Sequence, residues 1–292
     1  MTKLHDIVWP IVEWYRKNKR ELPWREINDP YRIWVSEIML QQTRVEAVKP
    51  FYARFLEALP TVSHLANVEE DKLLKLWEGL GYYNRVRNMQ KAAQQIVVEY
   101  GGEFPQDYEQ IRKLTGIGNY TAGAISSFAF GIPKPAVDGN VLRVISRITG
   151  SYDDIMKASV RERVEEELEE LIPMDAASDF NQGLIELGAI VCVPNGAPKC
   201  AECPLLHLCK AHEQGIELEL PIKAKAKERR IEKKTVIIFQ DGEHVAIRKR
   251  PAKGLLAGLY EFPNMEGHLT ETEAIAYCKQ VGLSPLRIQP LE

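Results

Sequence analysis

Hydrophobic residues recur at helical spacing along most of this chain, from Ile7 to about Ala211. Apolar positions three and four residues apart share one face of a helix, and that face packs on a core. Proline and glycine interrupt the pattern at intervals, and Asp29-Pro30 is typical of a helix cap followed by proline in the first turn. The pattern predicts a mainly α domain of many helices, without the alternation of strands and helices that a parallel sheet requires.

The pattern changes near the end of the chain. The β-branched run at 235–239, the turn Asp241-Gly242 and the run at 245–248 predict a β-hairpin. Residues 270–281 then show the spacing of a helix. We therefore expect a small α+β domain after the helical one.

These patterns predict two domains, a helical one at 1–221 and an α+β one at 235–292. Residues 222–234 between them are rich in Lys and Arg, which is typical of a solvated linker. The segment from residue 235 onwards has fewer than sixty residues. Most independent domains of mixed helix and strand are longer, so we expect the second domain to be incomplete.

The composition is that of an ordinary globular protein, with 45% apolar and 27% charged residues among 292. No apolar run is long enough to span a bilayer, and Asp6 and Glu13 interrupt the N-terminal region where a signal peptide would be apolar. We therefore expect an intracellular protein without a membrane partner. The net charge of −3 does not indicate a nucleic-acid partner, but DNA binding needs only a local basic face.

A tight turn between two helices is predicted at Gly116-Ile117-Gly118, because glycine adopts dihedrals that other residues disfavour. The turn opens a helix whose first N–H groups are free, and such a helix end can hold a phosphate. A Gly-x-Gly sequence alone usually marks an ordinary turn. Asp138, twenty residues after Gly118, makes a functional interpretation stronger.

Four cysteines lie close together in the sequence, with seven, two and five residues between successive thiols: Cys192, Cys200, Cys203 and Cys209. A disulfide framework is not expected in an intracellular helical protein. Four thiolates fit either tetrahedral zinc or a 4Fe–4S cluster, and the spacing does not choose between them. Cys278 stands apart on a predicted helix, and we interpret it as a small core residue.

The hairpin, the aspartate and the cysteines occur in the order seen in the endonuclease III superfamily, the helix-hairpin-helix-GPD DNA glycosylases. The chain most resembles the adenine DNA glycosylase (MutY) branch of that superfamily. The resemblance covers residues 1–221 closely and the rest more loosely, and it rests on LPWR at 22–25, VSEIMLQQTRV at 35–45, EGLGYY at 78–83, AVDGNV at 136–141 and ELGA at 186–189.

This resemblance implies a two-lobed helical fold with a helix-hairpin-helix at about 108–130 and a cysteine module at 186–212. It implies excision of adenine mispaired with 8-oxoguanine or guanine in duplex DNA, by a monomer in the bacterial cytoplasm that acts on nucleoid DNA. It also implies that the four cysteines hold a 4Fe–4S cluster. The spacing from Cys192 to Cys200 is one residue longer than usual, and Gly196 is a position where a bulge would absorb it.

The resemblance also assigns roles to single residues. Glu37 would protonate the adenine, although a glutamate on an amphipathic helix is usually solvated, and its neighbours Trp34, Ile38 and Met39 are apolar. Asp138 would stabilise the positive charge that develops on the sugar, as carboxylates do in glycosidases, although an aspartate at this position could simply cap a helix. Asn140 and Tyr120 would position these groups.

The remaining candidates would contact DNA or the extruded base, because a base in duplex DNA is reached only after it leaves the stack. By resemblance, Leu40, Gln42 and Tyr82 would insert into or stack on the duplex. Gly116 and Gly118 of the hairpin would approach a phosphate. Trp24, Arg25 and Gln182 would line the adenine pocket.

Tyr120 occupies the position where strand-cleaving members of the superfamily carry a Schiff-base lysine. Tyrosine cannot form an imine, so we expect base removal without strand scission. The rival interpretations are a bifunctional pyrimidine glycosylase and a non-catalytic iron–sulfur DNA-binding protein. The C-terminal segment resembles a Nudix-related domain through residues 254–263, and no Nudix metal-binding box follows, so we expect no pyrophosphatase activity.

Overall fold

Helices follow one another through the first part of the chain, as the apolar periodicity predicts. The structure is a computed structural model that describes residues 4–224 and 230–290. Short 3-10 helices at Leu4–Ile7, Cys200–Glu202 and Leu206–Leu208 accompany the α-helices, which are α1 (Val8–Asn18), α2 (Pro30–Leu40), α3 (Val45–Ala58), α4 (Val62–Asn67), α5 (Glu70–Trp77), α6 (Asn84–Tyr100), α7 (Tyr108–Lys113), α8 (Asn119–Phe130), α9 (Gly139–Thr149), α10 (Ala158–Glu169), α11 (Ala177–Ile190) and α12 (Lys210–Gln214).

The predicted start of α2 is confirmed. Asp29 caps this helix, because its side chain accepts hydrogen bonds from the backbone N–H groups of Tyr31 and Arg32, and Pro30 is the first helical residue. The helix-hairpin-helix expected at about 108–130 corresponds to α7 and α8. The local signal at Asp29-Pro30 therefore placed the start of α2 correctly.

Two hydrophobic cores give the helical unit its two lobes. The first core is built mainly by α2 to α8, and its largest fully buried side chains include Trp34, Phe55 and Trp77. The second core contains residues of α1 together with α9 to α11, and Phe180 lies in it fully buried. The chain thus places α1 with helices that follow more than a hundred residues later. The expected two-lobed helical fold is confirmed.

The C-terminal unit contains short antiparallel strand pairs and one helix, α13 (Glu271–Gln280). Thr270 and Glu273 form a reciprocal capping box at its start, and Cys278 is buried, as predicted. The pairs are β1 with β6, β2 with β3, and β4 with β5, where the strands are β1 (Lys234–Val236), β2 (Gln240–Asp241), β3 (His244–Val245), β4 (Arg248–Lys249), β5 (Tyr260–Glu261) and β6 (Asn264–Glu266).

The predicted hairpin around Asp241-Gly242 is present as β2 and β3, but its strands are shorter than the β-branched runs. Pairing continues irregularly, with the Ala246 N–H donating to the Phe239 carbonyl. Regular strand structure at 235–239 ends at Val236, although the Ile237 N–H still bonds to the Pro263 carbonyl, which directly precedes β6, before Phe239 bonds to the β3 side. The β-propensity of the run at 235–239 does not show where pairing with β6 ends and pairing with the β3 side begins.

The chain divides into a unit at Met1–Ala224 and a unit at Lys225–Glu292. The helical unit continues past residue 221, because Ile222 forms a bridge with Asp154 and the Ala224 N–H donates to the Asp154 carboxylate. Of the predicted basic linker, residues 225–229 lie outside the described residues. Among residues 4–224 and 230–290, none of the helices combines the length and the hydropathy that a membrane span requires.

Candidate active site

A cavity of about 590 Å³ lies against side chains from both lobes of the helical unit. This size is within the range of small-molecule sites. The sequence-predicted residues that line it are Trp24, Arg25, Glu37, Leu40, Gln42, Tyr120, Asp138, Asn140 and Gln182. Tyr82, Gly116, Gly118 and the four cysteines do not line it.

Glu37 is a buried acid at the wall of this cavity, with 7% of its surface exposed. It lies on α2 among the buried residues Trp34, Ile38 and Met39, which the sequence had marked as apolar surroundings. The Tyr120 hydroxyl donates a hydrogen bond of 2.6 Å to its Oε2. Burial, opposed by the Tyr120 hydrogen bond, aided by the Asp138 carboxylate and opposed by Arg25, raises the pKa of Glu37 to about 7. Glu37 can therefore hold a proton near neutral pH.

Tyr120 lies in the first turn of α8, directly after the glycine turn. Burial raises the pKa of Tyr120 well above its ordinary value, and the neighbouring Glu37 and Asp138 carboxylates add to the rise. The phenol therefore stays protonated at neutral pH and acts as a donor to Glu37.

Asp138 caps α9, which confirms the simple interpretation of this residue without removing it from the cavity. Its Oδ1 accepts hydrogen bonds of 2.8 Å from the backbone N–H groups of Asn140 and Val141. The Asn140 side chain donates a further bond of 2.6 Å to Oδ2. Burial raises the pKa of Asp138, and these donors oppose the rise because they favour the charged form. One carboxylate thus starts a helix and faces the pocket.

Asn140 connects this carboxylate to the cysteine segment through Arg143. Its Oδ1 accepts a 2.8 Å hydrogen bond from Arg143, whose Nε donates to the Cys192 carbonyl at 2.8 Å. Arg143 also donates to the carbonyl of Gly188, where a Cβ would lie 2.6 Å from the Asn140 Cβ. The sequence did not identify Arg143. Its position one turn after Asn140 was the available signal.

A buried ion pair forms another part of the cavity wall. Glu186 is fully buried, and its carboxylate accepts hydrogen bonds from Arg20 and from Arg25, the shortest of them 2.7 and 2.6 Å. Burial alone would raise the pKa of Glu186, but the bonds from Arg20 and Arg25 lower it to about 2. Arg25 lines the pocket as predicted, with its guanidinium held by Glu186. Sequence reasoning missed Arg20, and a glutamate between apolar Ile185 and Leu187 was the signal for Glu186.

Gln182 and Trp24, which also line the cavity, are held in place by their neighbours. The Gln182 side-chain oxygen accepts a 2.9 Å hydrogen bond from the Tyr15 hydroxyl, and its amide nitrogen donates to the Ser178 hydroxyl at 2.9 Å. Trp24 is buried and packs edge-on against Tyr52, with 5.4 Å between ring centroids. Neither side chain can move freely, so this wall is preorganised.

The predicted DNA-inserting residues lie at two neighbouring turns. Leu40 ends α2, and Gln42 follows it with an exposed side chain. Tyr82 is 64% exposed at the turn before α6, although large aromatic side chains are usually covered. The two turns share contacts with one arginine, Arg85.

The two hairpin glycines differ in what they require. Gly116 has a φ of +78°, and a Cβ there would lie 2.7 Å from the Asn88 Cβ, so only glycine fits without a shift. Gly118 caps α8 with a φ of −100°, which any residue adopts, and the prediction that both glycines use restricted dihedrals is wrong for it. No side chain caps α8, so its first N–H groups remain available to an anion.

The four cysteines are free thiols, each half-buried. Burial raises the pKa of Cys200 and Cys209 and raises that of Cys203 to about 12, and the thiols also influence one another electrostatically. Arg147 donates to the Cys192 Sγ at 3.2 Å. Gly196 adopts a φ of +74° in the seven-residue segment between Cys192 and Cys200. A metal binds thiolates, so metal binding here would release protons from Cys200, Cys203 and Cys209.

Among the described residues, one group of three side chains could bind a single metal ion, namely Cys200, His212 and Glu217, whose ligand atoms lie within 4.8 Å of one another. The other cysteines do not belong to this group. Four half-buried thiols are a donor set that suits either zinc or a 4Fe–4S cluster.

Two family models match this chain. Residues 35–174 match the HhH-GPD superfamily of base excision DNA repair proteins, and residues 234–292 match the NUDIX domain. Glu37, Tyr120, Asp138 and Asn140 lie inside the first match, and the four cysteines lie outside it.

Curated relatives are described as adenine DNA glycosylases. The protein of Buchnera aphidicola (subsp. Baizongia pistaciae) is 37% identical, over 87% of this chain and 72% of its own length. The Schizosaccharomyces pombe protein is 35% identical over 88% of this chain, and the chain spans 68% of it. The human protein is 33% identical, and the chain spans 56% of its length.

Solved structures of related enzymes have the same helical fold. A thermostable thymine-DNA glycosylase superposes with a TM-score of 0.64 at 30% identity, covering 72% of this chain and 96% of that enzyme. Endonuclease III trapped as a covalent intermediate with DNA superposes with a TM-score of 0.62 at 29% identity, covering 74% of this chain and 99% of that one. These matches confirm the expected fold.

Proposed function

This chain belongs to the adenine DNA glycosylases of the HhH-GPD base excision repair superfamily, and from that membership we propose that it removes adenine paired with 8-oxoguanine or guanine in duplex DNA. The observation that carries the proposal is the meeting of Glu37 and Asp138 in one cavity, where the pKa of Glu37 is about 7. A proton donor and a fixed carboxylate are the two groups that glycosidic bond cleavage uses.

Adenine would enter the cavity after leaving the base stack. Adenine is a poor leaving group as an anion, so protonation of a ring nitrogen by Glu37 lowers the barrier. The proton comes from a carboxyl group that burial keeps neutral, and Tyr120 keeps its orientation fixed. The bond from the base to the sugar then breaks as the base departs neutral.

Asp138 would act on the sugar. Positive charge develops on the deoxyribose as the bond breaks, and a fixed carboxylate stabilises this charge or bonds to the sugar transiently. Three donors hold Asp138 in place, which removes the need to reorient it during the reaction. Water then completes the hydrolysis, and the tyrosine at position 120 cannot form an imine. We therefore propose a monofunctional enzyme.

Duplex DNA is the proposed partner. Leu40, Gln42 and Tyr82 would fill the gap that the extruded adenine leaves, and the free N–H groups at the start of α8 would bind a backbone phosphate. The segment that matches the NUDIX model would contribute to reading the 8-oxoguanine on the opposite strand.

Cys192, Cys200, Cys203 and Cys209 would hold a 4Fe–4S cluster. Four free, half-buried thiols next to the Arg147 guanidinium fit this group. When bound, the cluster would supply four metal–thiolate bonds that cross-link the segment around residues 192–209. Brown protein with four iron atoms per chain would support this assignment, and colourless protein with one zinc atom would refute it.

The decisive experiment is a glycosylase assay on duplexes that carry adenine opposite each of 8-oxoguanine, guanine, cytosine and thymine, with alkali added afterwards. We expect adenine release opposite 8-oxoguanine and guanine, and strand breaks only after alkali. Strand cleavage without heat or alkali would indicate the bifunctional alternative. Tight duplex binding without release of any base would indicate a non-catalytic DNA-binding protein.

A further inference from the structure

Arg85 joins the two turns that carry the predicted DNA-inserting residues. It is the second residue of α6, and its side chain reaches the C-terminal end of α2. Its guanidinium donates hydrogen bonds to carbonyl groups of both turns, namely those of Ile38, Met39 and Gln41 in the first and of Leu80 and Gly81 in the second.

The charge of Arg85 is balanced by backbone rather than by an acid. Within the described residues the groups that accept its hydrogen bonds are backbone carbonyls, and burial lowers the pKa of Arg85. The last carbonyls of a helix have no partner within the helix and carry its negative end, so α2 provides the compensating charge. The guanidinium also lies 5.3 Å from the Trp77 ring centroid and 5.6 Å from that of Tyr82.

Both turns contain a strained residue. Gln42 has a φ of 60° and Tyr82 a φ of 47°, which residues with a side chain rarely adopt. Such conformations persist only where the surrounding structure enforces them, and they concentrate at functional sites. The Gln41 and Gly81 carbonyls that Arg85 holds are each directly before the strained residue. Arg85 therefore holds the backbone next to each of the two residues with a positive φ.

We propose that Arg85 is a positioning residue for base extrusion, which holds residues 40–43 and 79–82 in one rigid wedge before DNA is bound. The inference rests on the proposed function, because it assumes that an adenine leaves the duplex. Arg85 contacts neither the base nor the sugar. A preformed wedge does not have to be ordered during extrusion, so the extruded state is reached more often.

The test compares wild-type protein with Arg85→Lys. Lysine keeps the charge, but one ammonium group cannot reach five carbonyls on two segments. In single-turnover assays on a duplex with adenine opposite 8-oxoguanine, we expect excision to fall on the order of 30-fold. On a duplex in which the same adenine faces an abasic-site analogue, extrusion needs no base pair to break, and we expect a deficit of about threefold or less.

A second readout measures extrusion directly. In a Glu37→Gln background, 2-aminopurine at the target position should fluoresce strongly with wild-type Arg85 and weakly with Arg85→Lys, because the base remains stacked. The matched control is Arg163→Lys, because Arg163 is an exposed residue in the middle of α10 that pairs with Asp153 and does not line the cavity. It should leave both rates unchanged.

The outcomes separate this inference from the proposed function. If wild-type protein releases no adenine, the proposed function fails. If wild-type protein is active and Arg85→Lys loses the same factor on both substrates with normal 2-aminopurine fluorescence, the proposal is wrong, because a damaged pocket slows every substrate alike.

Hydrogen exchange keeps the proposal testable even if Arg85→Lys does not fold. In the wedge, the Thr43 N–H bonds to the Leu40 carbonyl and the Leu80 N–H to the Trp77 carbonyl. In free wild-type protein we expect both amides to exchange at least about tenfold more slowly than in an unfolded chain. Unprotected amides that become protected only with DNA would show that the wedge is not preformed.

Discussion

The two proposed catalytic carboxyl groups come from different lobes of the helical unit and reach the same cavity in different surroundings. Glu37, from the first lobe, is enclosed by apolar residues of α2 and receives one hydrogen bond, from Tyr120. Asp138, at the start of a second-lobe helix, receives three hydrogen bonds. Burial raises the pKa of both. The difference lies in the donors, which favour the charged form of Asp138, whereas Glu37 is left able to carry a proton.

This comparison teaches that the position of a carboxyl group in its helix, rather than the residue type, decides which protonation state is favoured. A helix interior has no free N–H groups to offer, so a carboxyl group within it is desolvated without compensation. A helix N-terminus has free N–H groups, so a carboxylate there is stabilised. Substitutions of Glu37 and of Asp138 should therefore have different effects. Those at Glu37 should change proton donation, and those at Asp138 should change the charge next to the sugar.

The largest expected effect is that of Glu37→Gln on excision. Glutamine still accepts the Tyr120 hydrogen bond but has no proton to give, so we expect a loss of about 10⁴-fold in single-turnover rate. Glu13→Gln, at an exposed position of α1, is the matched control. A Glu37→Gln protein within tenfold of wild type would remove Glu37 as the proton donor.

Asp138→Asn should reduce excision by about 10³-fold, because the charge opposite the sugar is lost. Asparagine caps helices as well as aspartate does, so α9 should remain intact and DNA binding should persist. Asp29→Asn makes the same exchange at the cap of α2 and should change neither rate nor binding. Unchanged turnover in Asp138→Asn would restrict this residue to capping.

Glu37 should also make stability depend on pH. Its pKa rises from 4.5 in the unfolded chain to about 7 in the folded protein, so the folded state binds the proton more tightly. Stability should fall as pH rises from about 4.5 to 7, by up to about 3 kcal/mol. Glu37→Gln should remove this loss and be more stable than wild type at pH 8, with the difference gone near pH 4. Urea unfolding at pH 4 and pH 8 measures the free energy of unfolding of both proteins. Equal stability of wild type and Glu37→Gln at pH 8 would contradict a buried Glu37 with a raised pKa.

The smallest expected effect is that of Tyr120→Phe. Its hydroxyl favours the charged form of Glu37, so its removal should raise the pKa of Glu37. Wild-type excision should decline above about pH 7 as Glu37 loses its proton. In Tyr120→Phe that decline should move to higher pH by about one unit or less. A pH–rate profile measures the shift, and movement to lower pH would mean that Tyr120 stabilises the protonated form of Glu37 instead.

Local signals in the sequence predicted several parts of this structure. Asp29-Pro30 marked the start of α2, the Gly-x-Gly turn marked the start of α8, and apolar neighbours marked Glu37 as a buried acid. Each of these depends on residues within one or two turns of each other, where spacing along the chain sets distance in space.

Partners distant in sequence were not predictable in this way. Glu186 meets Arg20 across 166 residues, and Arg85 meets Gln41 across 44. A single sequence shows that an arginine needs a partner, but it does not show which distant carbonyl or carboxylate the packing of two lobes brings to it. The shortened strands of the C-terminal unit have the same cause, since pairing partners end a strand and propensity does not.

The sequence by itself determined the helices, the cap at Asp138, the cysteine cluster and, through its motifs, the family. Only the tertiary structure decided that Glu37 and Asp138 share a cavity, that Glu186 holds two arginines and that Arg85 joins two strained turns. The physical reason is that helix formation depends on short-range geometry, whereas the pKa of a carboxyl group and the rigidity of a turn depend on which atoms surround it after the lobes have packed.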